Sequence, residues 1–214
     1  MRMVILAAGQ GTRLRTETGG RPKALLEVGG RTLLARLIEI ASLIGFEPLA
    51  VTRPELAEDF RRAGVEALVE EEPSGILGTL YHARGVVRET FCWVSADMLF
   101  TDPAPWKDLV EGHLQRGSAA SFFYCRTDRF KAKLRLDPGP EVVVTREPGY
   151  ALSIPTCVVH EPKMFSYMAP DPHGNYLQKM IAAGEPVLFR EYPAPAFEID
   201  TPQDLAEARR YFGR

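Results

Sequence analysis

Residues 1–125 alternate between short, unbroken apolar runs and segments whose apolar side chains recur every three or four positions. The runs at 3–8, 49–52, 65–69, 91–96 and 119–125 have the length and continuity of buried strands. The segments at 32–44, 54–63, 76–87 and 105–116 have helical spacing. In the first of them Leu33, Leu34, Leu37, Ile38, Ala41 and Ile44 share one face, Thr32 is placed to cap the start and Gly45 to close the end. Asp102-Pro103 and Pro105 open the last. A β-α-β-α-β-α-β-α-β order leaves few folds open. Strands separated by helices need crossovers, run parallel and are covered on both faces. The expectation is an α/β fold: a mostly parallel mixed sheet flanked by helices, Rossmann-like, in one domain over residues 1–214.

The second half is less regular. Residues 133–136 and 142–145 flank a D-P-G-P turn and read as a hairpin. Residues 154–160 read as a strand, 163–168 and 175–183 as short helices, V-L-F-R-E-Y and F-E-I-D as strands, and T-P-Q-D-L-A-E-A-R-R-Y-F as a closing helix. This half is expected to lie over the sheet edge and shape a pocket.

A formal net charge of -2 argues against a broad nucleic-acid surface, so any cationic site must be local. No apolar run is long enough for a membrane span, and the first residues do not read as a signal peptide, so the cytoplasm is the expected compartment. The three cysteines stand far apart without C-x-x-C spacing and read as buried, reduced thiols. The four histidines lack metal-ligand spacing, and no G-x-S-x-G elbow occurs.

Residues 4–30, V-I-L-A-A-G-Q-G-T-R-L-R-T-E-T-G-G-R-P-K-A-L-L-E-V-G-G, are the most informative stretch. Gly9 and Gly11 start like a dinucleotide fingerprint, but Leu14 stands where its third glycine belongs, and no G-K-[ST] completes a P-loop. Two glycines alone are as often a simple turn. The cations change that reading. Glycines let main-chain N–H groups approach a phosphate, Arg13 offers a planar fork, and Lys23 follows the stiff Pro22. On a loop leaving the carboxyl end of a buried strand, where open α/β sheets bind ligands, they form a candidate triphosphate clamp.

The stretch L-A-A-G-Q-G-T-R-L, followed by R-P-K-A-L-L-E-V-G-G-R-T-L-L-A-R-L-I-E, closely resembles the signature of the nucleotidyltransferases that activate sugar phosphates and related small phosphates. E-P-S-G-I-L-G-T-L resembles that family's base-recognition loop, C-W-V-S-A-D-M-L-F its strand with a metal-binding aspartate, and F-E-I-D-T-P-Q-D-L-A-E-A the strand with the second. The resemblance implies a transfer between a nucleoside triphosphate and a phosphorylated acceptor, with Mg2+ and release of pyrophosphate. Carried onto this sequence, it makes Leu6, Ala7, Ala8, Gly9, Gly11 and Thr12 nucleotide-binding, with Arg13 and Lys23 catalytic as well. Arg13 would hold the leaving β and γ phosphates; Lys23 would bridge the α-phosphate and the incoming phosphate. Asp97 and Asp200 would hold the metal. Thr201, Pro202 and Asp204 suffice to cap the last helix, which leaves Asp200 free for that role. Gly75 and Gly78 would border the base. Glu70 falls where the family often reads the base edge, and a carboxylate suits the amino groups of cytosine or guanine, favouring CTP or GTP. Residues 1–125 would then be a nucleotide-binding half, and 126–214 an acceptor-binding half carrying the second metal aspartate.

The pattern departs from the family at Thr16, at Ala96-Asp97 in place of Gly-Asp, at Arg146-Glu147-Pro148, which lacks the lysine of E-K-P, and at S-I-P-T-C-V-V. The last three fall on the acceptor side or near it, and the sequence does not name the acceptor beyond a sugar phosphate or small alcohol phosphate. Two other readings compete. A glycosyltransferase using a nucleotide sugar on a similar fold would want D-x-D where S-A-D-M-L offers one aspartate. A non-catalytic nucleotide-binding or regulatory protein would keep the fold without turnover.

Overall fold

The chain enters through β1 (Arg2–Ala7), whose side chains from Met3 to Leu6 are all buried. A central strand with helices on both faces must be apolar on both, which is why this run is unbroken rather than alternating. In the computed structural model, which describes the chain apart from Pro73, Asp128, residues 137–141, 146–150 and 170–174, and Arg214, the elements follow in this order. After β1 come α1 (Arg15–Thr18), β2 (Glu27–Val28), β3 (Arg31–Thr32), α2 (Leu33–Leu43), β4 (Glu47–Thr52), α3 (Pro54–Arg62), β5 (Glu66–Val69) and α4 (Gly75–His82). Next are β6 (Phe91–Ser95), β7 (Met98–Phe100), α5 (Pro105–Arg116) and β8 (Ala120–Tyr124). The second half adds β9 (Ala132–Leu136), β10 (Val142–Thr145), β11 (Leu152–Ile154), β12 (Cys157–His160), α6 (Met164–Met168), α7 (Tyr176–Ala182), β13 (Val187–Glu191), β14 (Ala196–Glu198) and α8 (Pro202–Phe212).

Seven strands form the main sheet in the order β13-β8-β12-β6-β1-β4-β5. β1 pairs parallel with β4 and β6, β4 with β5, and β13 with β8; β12 alone runs antiparallel, against both β6 and β8. The alternation of the first half thus yields the expected mostly parallel mixed sheet. The second half does not merely lie over the sheet edge. It inserts β12 into the middle and β13 at the end, so the two halves share one sheet.

The expected strand over 154–160 is two strands. β11 ends at Ile154 in a small sheet ordered β10-β9-β11, and β12 begins at Cys157 in the main sheet. Pro155 between them has no N–H for a ladder, and its carbonyl instead accepts a tight bond from Cys157 N at 2.7 Å. The expected hairpin is present as β9 antiparallel to β10, from Lys133↔Thr145 to Leu136↔Val142. Its D-P-G-P turn, Arg146-Glu147-Pro148 and His173 lie outside the described residues. The helix expected over 76–87 is shorter: α4 ends at His82 and a single 3-10 turn follows over Ala83–Gly85.

Two apolar clusters fill the faces of the sheet. Met3 and Ile5 point to one, with Leu34, Leu37, Trp106 and Phe123; Val4 and Leu6 point to the other, with Trp93, Phe122 and Met180. A third, smaller cluster sits apart from the sheet faces. Leu14, Leu26, Val28, Leu33, Leu99, Phe197, Ile199 and Leu205 meet there, drawn from the first loop, the β2–β3 ribbon, β7, β14 and α8. The pairing of β7 with β14, Met98 opposite Glu198, closes one side of it. The close approach of Gly29 to Phe212 closes another: a Cβ on Gly29 would stand 2.9 Å from that ring. This cluster joins the first loop to the last strand.

Ile199 is fully buried in the third cluster. Ile199→Ala should therefore lower the unfolding free energy by about 2–5 kcal/mol. Urea denaturation would read this as a lower midpoint at unchanged slope; a midpoint equal to that of the parent would mean the cluster is not close-packed.

Candidate active site

The loop after β1 turns at Gly11, whose φ of 60° is left-handed and suits glycine. A Cβ there would meet the Lys23 stem at 3.4 Å, so the glycine also leaves room for that side chain to pass. Leu14 closes a 3-10 turn by donating to Gly11 O at 3.0 Å and is itself fully buried, which leaves Arg13 on the exposed side. The N–H groups of Gly9, Gln10 and Gly11 donate to no other group among the described residues. They line a cleft, and a run of unengaged main-chain donors is a concavity suited to anions. Pro22, at φ -55° and ψ 137°, then delivers Lys23 to the same cleft at the start of a second 3-10 turn.

The cleft crosses the carboxyl end of β1. On the side of β4 and β5 it is lined by Leu56, Gly75, Ile76 and Thr79; on the side of β6 by Ser95, Ala96 and Asp97, with Lys131, Glu198 and Asp200 closing it. One end is therefore mostly apolar and the other strongly charged. Leu6, Ala7, Ala8 and Thr12 line it as well.

Charge converges at the second end. The Lys23 ammonium donates to Asp200 Oδ1 at 2.8 Å and to Asp97 Oδ2 at 3.3 Å. Asp200 Oδ2 faces Arg13 at 2.9 Å and the Lys131 ammonium at 3.1 Å. The second oxygen of Asp97, Oδ1, accepts from Ser95 Oγ at 2.5 Å. Asp97 sits in the turn between β6 and β7 and caps no helix; Asp102 instead accepts from Ala104 N at 2.9 Å, just ahead of α5. Asp200 is likewise spared. Thr201 and Asp204 form a complete capping box for α8, with Pro202 in its first turn. The three cysteines are free and buried, and burial raises each thiol above its ordinary range.

Two carboxyls of the cleft are pushed apart. Burial would raise the Asp200 carboxyl, but the hydrogen bond and charge of Lys23, then those of Lys131, outweigh it and hold it down at about 2. Glu198 is pushed up to about 7, first by burial and then by the charge of Asp97. A carboxyl raised in this way binds its proton more tightly in the folded state than in the unfolded one. From an ordinary value of 4.5, its contribution is complete below that pH and is lost as pH rises through about 7. Thermal melting without divalent cations should therefore decline for the parent protein over that window, while Glu198→Gln should stay flatter. Parallel curves for the two proteins would refute a raised Glu198.

Glu70 does not join the cleft. It is 4% exposed. Its Oε1 accepts from Ser74 N and Oγ at 3.2 and 2.6 Å, and its Oε2 from Thr79 Oγ1 at 2.6 Å. Both oxygens are engaged in holding the start of α4, so the carboxylate expected to read a base is a local anchor instead. Its sequence position beside a glycine turn could not show that Thr79, a full turn into the helix, would claim it. Gly78 is buried within α4, and Gly75 alone of the two glycines borders the cleft. Glu70→Ala strands the buried Thr79 hydroxyl and should cost about 1–3 kcal/mol in chemical denaturation; a stability equal to the parent's would contradict the anchor.

At the charged end of the cleft, Ser95, Lys131 and Glu198 carry no expectation from sequence. For Glu198 a signal existed, because it stands two residues before Asp200 on an extended segment, and that spacing puts both on one face. Lys131 gave none.

A family model, MobA-like NTP transferase domain, matches residues 3–212. Mannose-1-phosphate guanyltransferase of Candida albicans is 30% identical over 141 residues, which is 60% of this chain and 38% of the relative. The chain spans about two-fifths of the length of the mannose-1-phosphate guanyltransferases it matches. Among solved structures, the inositol-1-phosphate CTP transferase of T. maritima superposes with a TM-score of 0.75 at 21% identity, covering 100% of this chain and 96% of that one. A UDP-glucose pyrophosphorylase from Acinetobacter baumannii superposes with a TM-score of 0.82 at 15% identity, covering 99% and 93%. At such identities the two structures speak for the fold.

Proposed function

The chain belongs to the family of MobA-like NTP transferase domains, and on that footing we propose that it joins a nucleoside triphosphate to a phosphorylated small molecule, a sugar 1-phosphate or alcohol phosphate, with release of pyrophosphate. The observation that carries this reading is the Lys23 ammonium bridging Asp97 and Asp200 beside a loop of unengaged N–H groups. Main-chain donors and Arg13 would bind the triphosphate. Lys23 would bridge the α-phosphate and the incoming phosphate, where negative charge crowds.

Two aspartates from separate strand ends already share one cation, the ammonium, and the neighbouring donors are hard oxygens. That suits Mg2+, which takes one or two carboxylates plus substrate phosphates. Among the described residues no three His, Cys, Asp or Glu side chains are grouped to hold a metal ion by themselves. Asp97 and Asp200 would hold the ion, which when bound would offset charge on the transferring phosphate.

The preference for CTP or GTP rested on a free Glu70, and that carboxylate is engaged. The base would instead lie at the apolar end, against Leu56 and Ile76, and meet the main chain at Gly75.

Four NTPs, each offered with mannose 1-phosphate, glucose 1-phosphate and inositol 1-phosphate in the presence of Mg2+, test the reading through pyrophosphate release. Turnover with at least one pair is expected, and Lys23→Ala and Asp97→Ala should each lower it by about a hundredfold or more. NTP binding by calorimetry with no turnover would favour a regulatory protein instead.

A further inference from the structure

Asp97 and Asp200 are held in different ways. Asp200 has both oxygens on cations: Oδ1 meets Lys23 at 2.8 Å, and Oδ2 meets Arg13 and Lys131 at 2.9 and 3.1 Å. Among the described residues Asp97 meets one cation, Lys23, at the longer distance of 3.3 Å and through Oδ2 alone. Its other oxygen accepts from the Ser95 hydroxyl at 2.5 Å. The carboxylate torsion of an aspartate is broad, so a group without partners turns freely. Ser95 is fixed more firmly. It ends β6, is buried, and lines the cleft. Its N–H donates to Thr156 O at 3.0 Å, that of Ala96 donates to Leu6 O at 3.0 Å, and Asp97 O accepts from Ile199 N at 2.9 Å. The main chain on both sides of the hydroxyl is therefore tied to its neighbours without it. What the hydroxyl holds is the carboxylate.

We propose that Ser95 is a positioning residue: it keeps Asp97 Oδ2 turned into the cleft and thereby sets the affinity of the cleft for a divalent cation. The proposal rests on the reading above for a cation at Asp97 and phosphates at Lys23. Once the ammonium is drawn to phosphate, Ser95 is the partner left to the Asp97 carboxylate, whereas Asp200 has two further cations beside it. A carboxylate oriented in advance gives up less freedom when the ion arrives. Hydrogen-bond partners one step removed from an ion commonly carry about ten- to a hundredfold in metal affinity. A hydroxyl suits that task, because it donates without placing a positive charge beside the ion.

The test compares the parent, Ser95→Ala and Ser95→Thr by calorimetric NTP binding with and without Mn2+, acceptor omitted, using the NTP that binds the parent most tightly. Mn2+ should tighten NTP binding to the parent. Ser95→Ala should lose about tenfold of that gain while its metal-free NTP affinity stays within about twofold. Ser95→Thr, which keeps the hydroxyl, should recover most of the loss. For a pair that the parent turns over, the Mg2+ concentration giving half the maximal rate should rise about tenfold in Ser95→Ala, with the rate at saturating Mg2+ within about threefold. The melting temperature of Ser95→Ala should stay within about 4 °C of the parent's. An equal Mn2+ gain in Ser95→Ala and the parent would overturn the assignment, as would the absence of any gain in the parent. A matching fall in metal-free affinity would make Ser95 a contact of the nucleotide itself and overturn it too. Mn2+-assisted binding with no turnover of any pair would instead overturn the transfer reading, while the Ser95 comparison still decides this one.

Discussion

An ammonium shared by two aspartates organises this molecule. Lys23 reaches Asp97 across 74 residues of chain and Asp200 across 177, and each contact ties the first loop to a different strand end. Two carboxylates facing one another would repel without a cation between them. The sequence supplies that cation from a third place. The same contacts that offset this repulsion gather the charged residues at one end of the cleft.

Packing holds this geometry together with the charges. Three of the six charged residues that line the cleft stand beside a member of the small third cluster: Arg13 beside Leu14, Asp200 beside Ile199, Glu198 beside Phe197. Close-packed apolar side chains tolerate little displacement. The cluster therefore limits how far the backbone beside these three residues can shift. It also explains why β7 and β14, each only three residues long, pair at all: they form one side of that core and aim Asp97 and Glu198 from it.

The two ends of the cleft differ in how far they could be read from residues alone. That Arg13, Lys23, Asp97 and Asp200 would meet in one cleft was legible because each stands at a strand end or glycine turn with no competing local role, and the capping box at Thr201 leaves Asp200 free. Glu70 looked equivalent and is not. Its three donors lie four to nine residues away, within reach only once the chain from β5 to α4 has folded back on itself. Lys131 was silent for a related reason. A lone lysine before a short strand is ordinarily a solvated charge, and only the fold brings it to Asp200.

By itself the sequence determined the alternation of strand and helix, the parallel character of the first half, the helix caps and the glycine loop with its cations. These depend on periodicity, backbone freedom and short-range hydrogen bonds, all of which act within a few residues. Tertiary structure alone decided that β12 enters the middle of the sheet, that Pro155 divides one apolar run between two sheets, that Glu70 turns inward and that three cations meet on one carboxylate. Those outcomes depend on which distant surfaces exclude water together, and no local pattern encodes that.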